Sequence, residues 1–155
     1  MWRPGLWHDD PSVGRDATVV CGCGGGQAVR EPLPVLLSRS ARLVLDADAL
    51  NAVAADTSLQ SLLKARASRG LATVLTPHPL EAARLLALPD AARVQANRLA
   101  AAQSLAQRFD CTVLLKGSGS IIAAPRCTPV VNPTGNARLS SAGTGDVLAG
   151  WLAGL

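Results

Sequence analysis

The stretch from Asn132 to Gly150, N-P-T-G-N-A-R-L-S-S-A-G-T-G-D-V-L-A-G, joins two glycine-rich turns to one carboxylate at the start of an apolar helix. Glycines let a backbone approach an anion closely, so the amides around Gly143 and Gly145 can converge on a phosphate at the positive end of the helix dipole. Asp146 would then lie where a substrate hydroxyl meets that phosphate and would serve as a base. The alternative interpretation is that Asp146 only caps the helix.

A second glycine-rich loop contains a lysine. The loop from Lys116 to Ser120, K-G-S-G-S, supplies one ammonium, two hydroxyls and unobstructed amides, which together make a phosphate-binding set. It is not a Walker loop, because Lys116 precedes the glycines. Lys64 and Lys116 are the only lysines among 15 basic residues, and a compact ammonium serves phosphate where a broad guanidinium does not fit. A polar hairpin without a ligand is the alternative.

Three more loops follow predicted strands. Gly22 to Gly26, G-C-G-G-G, lets a ligand lie against the backbone, and it is equally well interpreted as a flexible turn. Asp46 and Asp48 follow the second strand; Asp46 could order water, a metal or a neighbouring loop, but capping or loop-holding is favoured for both. His78 stands between two prolines that stiffen its backbone, and we expect it to contact a ligand.

Alternating strands and helices are expected to position these loops. The first four strand candidates are continuous apolar runs, which suits a parallel sheet covered on both faces, and the glycine link after the fourth indicates a hairpin. Strands are predicted at Ala17–Cys21, Arg42–Asp46, Ala72–Thr76, Thr112–Lys116, Ser120–Ala124 and near Thr128–Val131. Helices are predicted at Pro32–Ser38, Thr57–Arg69, Leu80–Leu86, Ala91–Phe109 and Gly145–Ala153. The pattern predicts a three-layer α/β/α fold whose mostly parallel central sheet has an antiparallel edge.

Composition narrows the class of protein. The 155 residues are 48% hydrophobic with a mean hydropathy of +0.24, which excludes disorder and fits one globular domain. No apolar run reaches the ~20 residues that cross a bilayer, and the first residues lack the apolar segment of a secretory signal. We therefore expect a cytoplasmic protein that binds no membrane. The net charge of +4 comes from scattered arginines, so no nucleic-acid partner is expected.

The cysteines do not predict a bridge or a metal site. Their spacing contains no C-x-x-C pair, and without a secretory context they are interpreted as reduced core or strand residues. Only two histidines are available, so no metal is assigned to protein ligands. The cysteines are Cys21, Cys23, Cys111 and Cys127.

Taken together, the motifs resemble those of the ADP/ATP-dependent NAD(P)H-hydrate dehydratases, a carbohydrate-kinase-like family with a ribokinase-like fold. The resemblance runs from about Thr18 to the end of the chain. Besides the stretch that contains Asp146, four motifs carry it: V-V-C-G-C-G-G-G, V-L-D-A-D-A-L-N, V-L-T-P-H-P-L-E-A-A-R-L-L and V-L-L-K-G-S-G-S-I-I. Their order and spacing are more specific than any one of them.

The resemblance implies a repair reaction and a role for each motif. ADP or ATP with Mg²⁺ would phosphorylate the C6 hydroxyl of the hydrated nicotinamide in the S epimer of NADHX or NADPHX, and loss of phosphate would regenerate NAD(P)H. Asp146 would be the catalytic carboxylate, and Gly24 and His78 would contact the hydrate beside it. The nucleotide would bind Lys116, Gly117, Ser118, Gly119, Ser120 and Gly145, with support from Asn132, Asn136, Gly143 and Thr144.

The chain also departs from the family pattern. Cys23 stands where the family usually has a proline in a G-P-G turn. Residues 1–16 are expected to form an irregular segment and residues 17–155 a ribokinase-like domain truncated at both ends, which would form a homo-oligomer when full length. Two other functions stay open: a small-molecule kinase of the same superfamily acting on a vitamin-precursor alcohol, and an inactive nucleotide-binding fragment.

Overall fold

The computed structural model describes residues 17–136 and 141–155. Its sheet has six strands in chain order: β1 to β4 pair in parallel, and β5 pairs antiparallel with both β4 and β6. The strands are β1 (Thr18–Cys21), β2 (Arg42–Leu45), β3 (Ala72–Leu75), β4 (Thr112–Leu115), β5 (Ile121–Ala123) and β6 (Val130–Val131). These bounds confirm the six predicted strands and the antiparallel edge. The predicted irregular segment 1–16 lies outside the described residues.

Seven α-helices lie in the described part of the chain. They are α1 (Leu33–Arg39), α2 (Ala47–Ala55), α3 (Thr57–Ser68), α4 (Pro79–Leu85), α5 (Ala91–Ala96), α6 (Arg98–Phe109) and α7 (Thr144–Ala153). A 3₁₀ turn at Gly26–Arg30 follows β1. Four of the predicted helices are confirmed as α1, α3, α4 and α7, and none of the described helices is long and apolar enough to span a bilayer.

The prediction of one helix over Ala91–Phe109 is wrong, because Asn97 divides it. Asn97 has φ −150° and ψ 78°, which lie outside the helical region, and its side chain accepts a hydrogen bond from the Ala100 amide at 3.1 Å. Asparagine is a poor residue inside a helix and a good N-cap. The break places Arg98 at the first position of α6.

Helix α2 was not predicted from the sequence. It begins directly after Asp46, and its first residue, Ala47, has φ +42°. The segment has only nine residues, too few for its apolar spacing to distinguish a helix from a loop, although Ala49, Leu50 and Val53 are buried in the core. Helix α2 packs against α4 and the 3₁₀ turn, and it holds the start of the loop after β2 in place.

The core lies between the sheet and its helices. Helices α1, α3 and α6 form one row of neighbours, α2, α4 and α5 form another, and α7 contacts β1 and β2. In β2, Leu43, Val44 and Leu45 are all buried, whereas β1, β3 and β4 alternate buried residues with partly exposed ones, so the continuous burial predicted from the apolar runs is seen in β2 alone. Large side chains with almost no exposure are Leu33, Leu37, Leu43, Leu45, Leu50, Leu63, Leu75, Leu85, Leu105, Phe109 and Leu115.

One buried cation holds α1 and α3 to the sheet. Arg66 of α3 is only 1% exposed, and its guanidinium donates to Thr73 Oγ1 at 2.6 Å and to four backbone carbonyls. Those carbonyls belong to Leu36, Leu37, Ser40 and Ala72. Burial lowers the pKa of Arg66 to about 10, yet the residue stays charged at neutral pH. Its charge stabilises the carbonyls at the C-terminal end of α1.

The parallel strands bring their carboxyl ends to one edge of the sheet. Cys21 is level with Leu45, and Leu45 with Leu75. The ladder continues one residue further, because Asp46 N donates to Cys21 O at 3.0 Å and Thr76 N donates to Leu45 O at 3.1 Å. The glycine loop, the Asp46 loop, the His78 loop and the Lys116 loop all begin at this edge, which is where open α/β sheets bind ligands.

Candidate active site

An ion pair between two loops lies at the centre of this edge. Lys116 Nζ, just past the end of β4, is 2.6 Å from Asp46 Oδ1, just past the end of β2. The Asp46 side chain is 2% exposed and that of Lys116 is 21% exposed. A buried carboxylate needs such a partner. The loop-holding role expected of Asp46 is therefore observed, and its partner is the lysine predicted to bind phosphate.

The start of α7 packs against this ion pair. A Cβ atom added to Gly145 would lie 3.3 Å from Asp46 Oδ2 and 3.4 Å from Lys116 Nζ. The N-cap is Gly143, with φ +85°, and no side chain forms a capping hydrogen bond there within the described residues. Asp146 therefore does not cap α7. Its carboxylate lies in the first turn of α7, near the positive end of the helix dipole.

The Cys23 thiol joins the two aspartates. One ligand atom each from Cys23, Asp46 and Asp146 lies within 4.8 Å of the other two. Burial is the largest cause that raises the pKa of Cys23, to about 11. The negative charges of Asp46 and Asp146 and a hydrogen bond to Asp146 raise it further, while the charge of Lys116 lowers it. The thiol is therefore protonated at neutral pH and faces the carboxylate predicted to be catalytic.

Alkylation kinetics test the coupling between Cys23 and Asp146. Because only the thiolate reacts and a pKa of about 11 leaves about one thiolate in a thousand at pH 8, we expect slow reaction with iodoacetamide that accelerates towards pH 11. Asp146→Asn removes a negative charge and one of two acceptor oxygens, so the rate at Cys23 should rise severalfold. Mass spectrometry of peptides gives the rate at each cysteine, with exposed Cys127 as the internal reference. Equal rates at Cys23 in both proteins would show that the two side chains are not coupled.

Arg98, which was not among the predicted site residues, binds backbone carbonyls of the predicted phosphate loop, Lys116 to Ser120. Arg98 Nη1 donates to Ser118 O, and Nη2 donates to Lys116 O at 3.2 Å and to Leu115 O at 3.4 Å. The one sequence signal for Arg98 is Asn97 before it, which is a helix-capping residue. The predicted uninterrupted helix hid that signal.

His78 uses both ring nitrogens within its own helix. Nδ1 accepts from the amides of Leu80 and Glu81, and Nε2 lies 3.1 Å from Glu81 Oε1. The other oxygen of Glu81 accepts from His78 N at 2.8 Å, so the pair forms a capping box at α4. The ring is 46% exposed. Contact between His78 and a substrate stays a prediction, and a substrate would meet carbon atoms of the ring or compete with Glu81.

The other predicted residues lie in the glycine loop, at and after the end of β6, and at the start of α7. Gly24 follows Cys23 and is exposed, with φ +62° and no atom within 4 Å of an added Cβ. Asn132 N donates to Ser120 O at 2.8 Å, which ties the end of β6 to the phosphate loop. Thr144 Oγ1 donates to Ser141 O at 2.8 Å. Asn136 lies beside residues 137–140, which are not described, and its supporting role stays a prediction.

Asp48 holds the glycine loop in place. Its Oδ2 accepts from Gly26 N at 2.8 Å, across 22 residues of sequence. Asp48 lies in the first turn of α2, whose N-cap position belongs to Asp46. Of the two roles predicted for Asp48, loop-holding is the one observed.

The sequence profile of a family described as NAD(P)H-hydrate dehydratase matches residues 10–155, which is nearly the whole chain. The chain belongs to this family. As a member of the NAD(P)H-hydrate dehydratase family, it has Asp146, Lys116 and the glycine loops at the edge of the sheet where the motifs predicted them.

Individual relatives agree with this assignment. The ADP-dependent (S)-NAD(P)H-hydrate dehydratase of Neisseria meningitidis is 44% identical over 139 residues, which are 88% of this chain and 45% of that protein. The crystal structure of the ADP/ATP-dependent NAD(P)H-hydrate dehydratase from Bacillus subtilis, co-crystallized with ATP/Mg²⁺, superposes with a TM-score of 0.69 at 28% identity. The match covers 99% of this chain and 52% of that one. This dehydratase-family chain therefore spans about half the length of these relatives.

The fold prediction is confirmed by the same comparison and by a third protein. A ribokinase-like superfamily protein from Enterococcus faecalis superposes with a TM-score of 0.66 at 25% identity, over 88% of this chain and 46% of that one. The family member described here therefore has the predicted α/β fold of the ribokinase-like type.

Proposed function

We propose that this chain provides the catalytic half of an ADP- or ATP-dependent (S)-NAD(P)H-hydrate dehydratase, which returns NADHX and NADPHX to NADH and NADPH. One observation carries the proposal. Asp146, which caps nothing, stands at the start of α7 beside the buried Asp46–Lys116 pair. A base, a cation and helix amides at one place are what phosphoryl transfer to a hydroxyl requires.

Asp146 accepts the proton of the C6 hydroxyl as the hydroxyl oxygen bonds to the terminal phosphorus of the nucleotide. The bond from that phosphorus to the bridging oxygen breaks, and the shortened nucleotide leaves with the electron pair. Phosphate then departs from C6 with the electrons of the C–O bond and takes up the C5 proton, and the electron pair of the C5–H bond restores the double bond of the dihydronicotinamide ring. The amides at the start of α7 and the Lys116 ammonium stabilise the negative charge during transfer.

Asp46 fixes the position of the Lys116 ammonium. The pair is short at 2.6 Å, and the carboxylate is almost fully buried, so the long lysine side chain is held at one place instead of sampling many rotamers. Only one of the two carboxylates in the cluster is thereby neutralised. Asp146 is the exposed one, and it stays available to the substrate.

The donor atoms at the site fit Mg²⁺ bound mainly through nucleotide phosphates. Mg²⁺ prefers oxygen ligands and is commonly held by one or two carboxylates together with phosphates. Asp146 offers an exposed carboxylate, Lys116 occupies one oxygen of Asp46, and the Cys23 thiol is a poor ligand for this ion. When bound, Mg²⁺ neutralises phosphate charge. A cytoplasmic location and a homo-oligomeric full-length form stay predictions.

The decisive experiment adds (S)-NADHX with ADP, and in parallel with ATP, to the chain and records the absorbance of reduced nicotinamide. We expect that absorbance to return in step with the release of phosphate. A small-molecule kinase would instead accumulate a stable phosphorylated product. Phosphate release without recovery of NADH would overturn the proposal. A parallel reaction with the heat-inactivated chain measures spontaneous dehydration.

A further inference from the structure

Arg98 contacts the phosphate loop through its carbonyl groups. Its guanidinium donates to the carbonyls of Leu115, Lys116 and Ser118. No carboxylate forms an ion pair with Arg98 within residues 17–136 and 141–155. An arginine fork normally meets carboxylate or phosphate, so its use on two carbonyls of this loop and on that of Leu115, at the end of β4, indicates that the shape of the loop depends on it.

Binding the carbonyls fixes the direction of the amides. In a trans peptide the C=O of one residue and the N–H of the next point in opposite directions. Leu115 obeys this rule visibly, because its carbonyl faces Arg98 while Lys116 N donates to Pro77 O at 2.8 Å on the other side. By the same rule, the carbonyls of Lys116 and Ser118 direct the amides of Gly117 and Gly119 away from Arg98.

Those two amides have no protein acceptor. In the part of the chain that the structure describes, neither Gly117 N nor Gly119 N donates a hydrogen bond. Gly117 has φ +137°, which favours glycine, and a Cβ atom on it would lie 2.9 Å from Arg98 Nη2, so the loop lies directly against the guanidinium. Two unpaired amides that point the same way form an anion-binding concavity.

We propose that Arg98 is a positioning residue that aims the amides of Gly117 and Gly119 at a phosphate of the adenine nucleotide. The inference rests on the proposed function to the extent that this loop binds the nucleotide. Arg98 itself does not touch the nucleotide. It lies on the opposite side of the loop and binds carbonyl oxygens that could otherwise turn towards the phosphate and repel it. Its positive charge, which no carboxylate of the described residues pairs with, also attracts the phosphate.

Dissociation constants for ADP and for adenosine, measured by calorimetry on the whole chain, test this role. Arg98→Ala should weaken ADP at least about tenfold, because two amide contacts are misdirected, and leave adenosine within about twofold. Arg98→Lys keeps the charge but cannot reach three carbonyls, so we expect ADP to weaken by about threefold. Arg108→Ala is the matched control, since Arg108 lies on the same helix but bonds to Gln60.

Each outcome decides the proposal. If the ratio of the ADP and adenosine dissociation constants is unchanged in both Arg98 variants, whether or not both ligands bind more weakly, the proposal is overturned. If Arg98→Ala does not fold, Arg98→Lys carries the test. A wild-type chain that binds no ADP overturns both this role and the proposed function. If the Arg98 variants selectively lose affinity for ADP but the wild-type chain does not regenerate NADH, the positioning role of Arg98 is upheld and only the proposed dehydratase activity is overturned.

Discussion

Asp146→Asn is expected to reduce turnover of the hydrate by about 10²–10⁴-fold while the dissociation constant for ADP changes by less than about twofold. Asparagine has the same shape and keeps the position at the start of α7, but it cannot accept the hydroxyl proton. Because Mg²⁺ would be held mainly by the nucleotide phosphates, and the substitution removes a negative charge from beside them, we expect no weakening of this anionic ligand. Steady-state rates of NADH recovery and calorimetry with ADP give the two quantities.

Asp90→Asn is the matched control for this substitution. Asp90 is an exposed N-cap of α5 that accepts from Arg93 N at 3.1 Å, and asparagine caps helices equally well. It removes a carboxylate of the same type away from the site and should change neither rate nor affinity. If Asp146→Asn instead lowers ADP affinity as much as turnover, then Asp146 has a structural role.

The sequence predicted the strands and the glycine loops well, because both depend on local signals. Continuous apolar runs marked the four parallel strands, and Gly117 with Gly119 marked the hairpin between β4 and β5. Since parallel strands present their carboxyl ends at one edge, the loops that contain Asp46 and Lys116 could be assigned to one site before any distance was known.

The pairing within the site could not be predicted in the same way. Asp46 and Lys116 are 70 residues apart, and nothing local indicates that one carboxylate would select that ammonium. Arg98 was missed because its acceptors are backbone carbonyls, which every residue possesses and no motif records. His78 shows the opposite case, since a residue chosen for its chemistry uses both ring nitrogens within a capping box with Glu81.

The second large effect is expected on folding, at Gly22→Ala. Gly22 has φ +120°, and a Cβ atom there would lie 1.8 Å from Asp46 O and 2.9 Å from Ala49 N, both of them backbone atoms. Because neither can rotate away, the substitution must separate the ends of β1 and β2. We expect the free energy of unfolding to fall by about 4 kcal/mol or more, the combined cost of backbone strain and overpacking.

Urea denaturation measures this loss, and Gly70→Ala separates its two causes. Gly70 also has a positive φ, +69°, but no atom lies within 4 Å of its added Cβ, so it should lose only about 1 kcal/mol from strain. Similar losses at both glycines would mean that the contact with Asp46 is easily relieved. The substitution also affects the candidate site, because Gly22 directly precedes Cys23 and packs against the backbone of Asp46. If the Gly22→Ala variant folds, we expect Cys23 to be alkylated faster than in the wild type. Separating the two loops exposes the thiol and moves it away from both carboxylates.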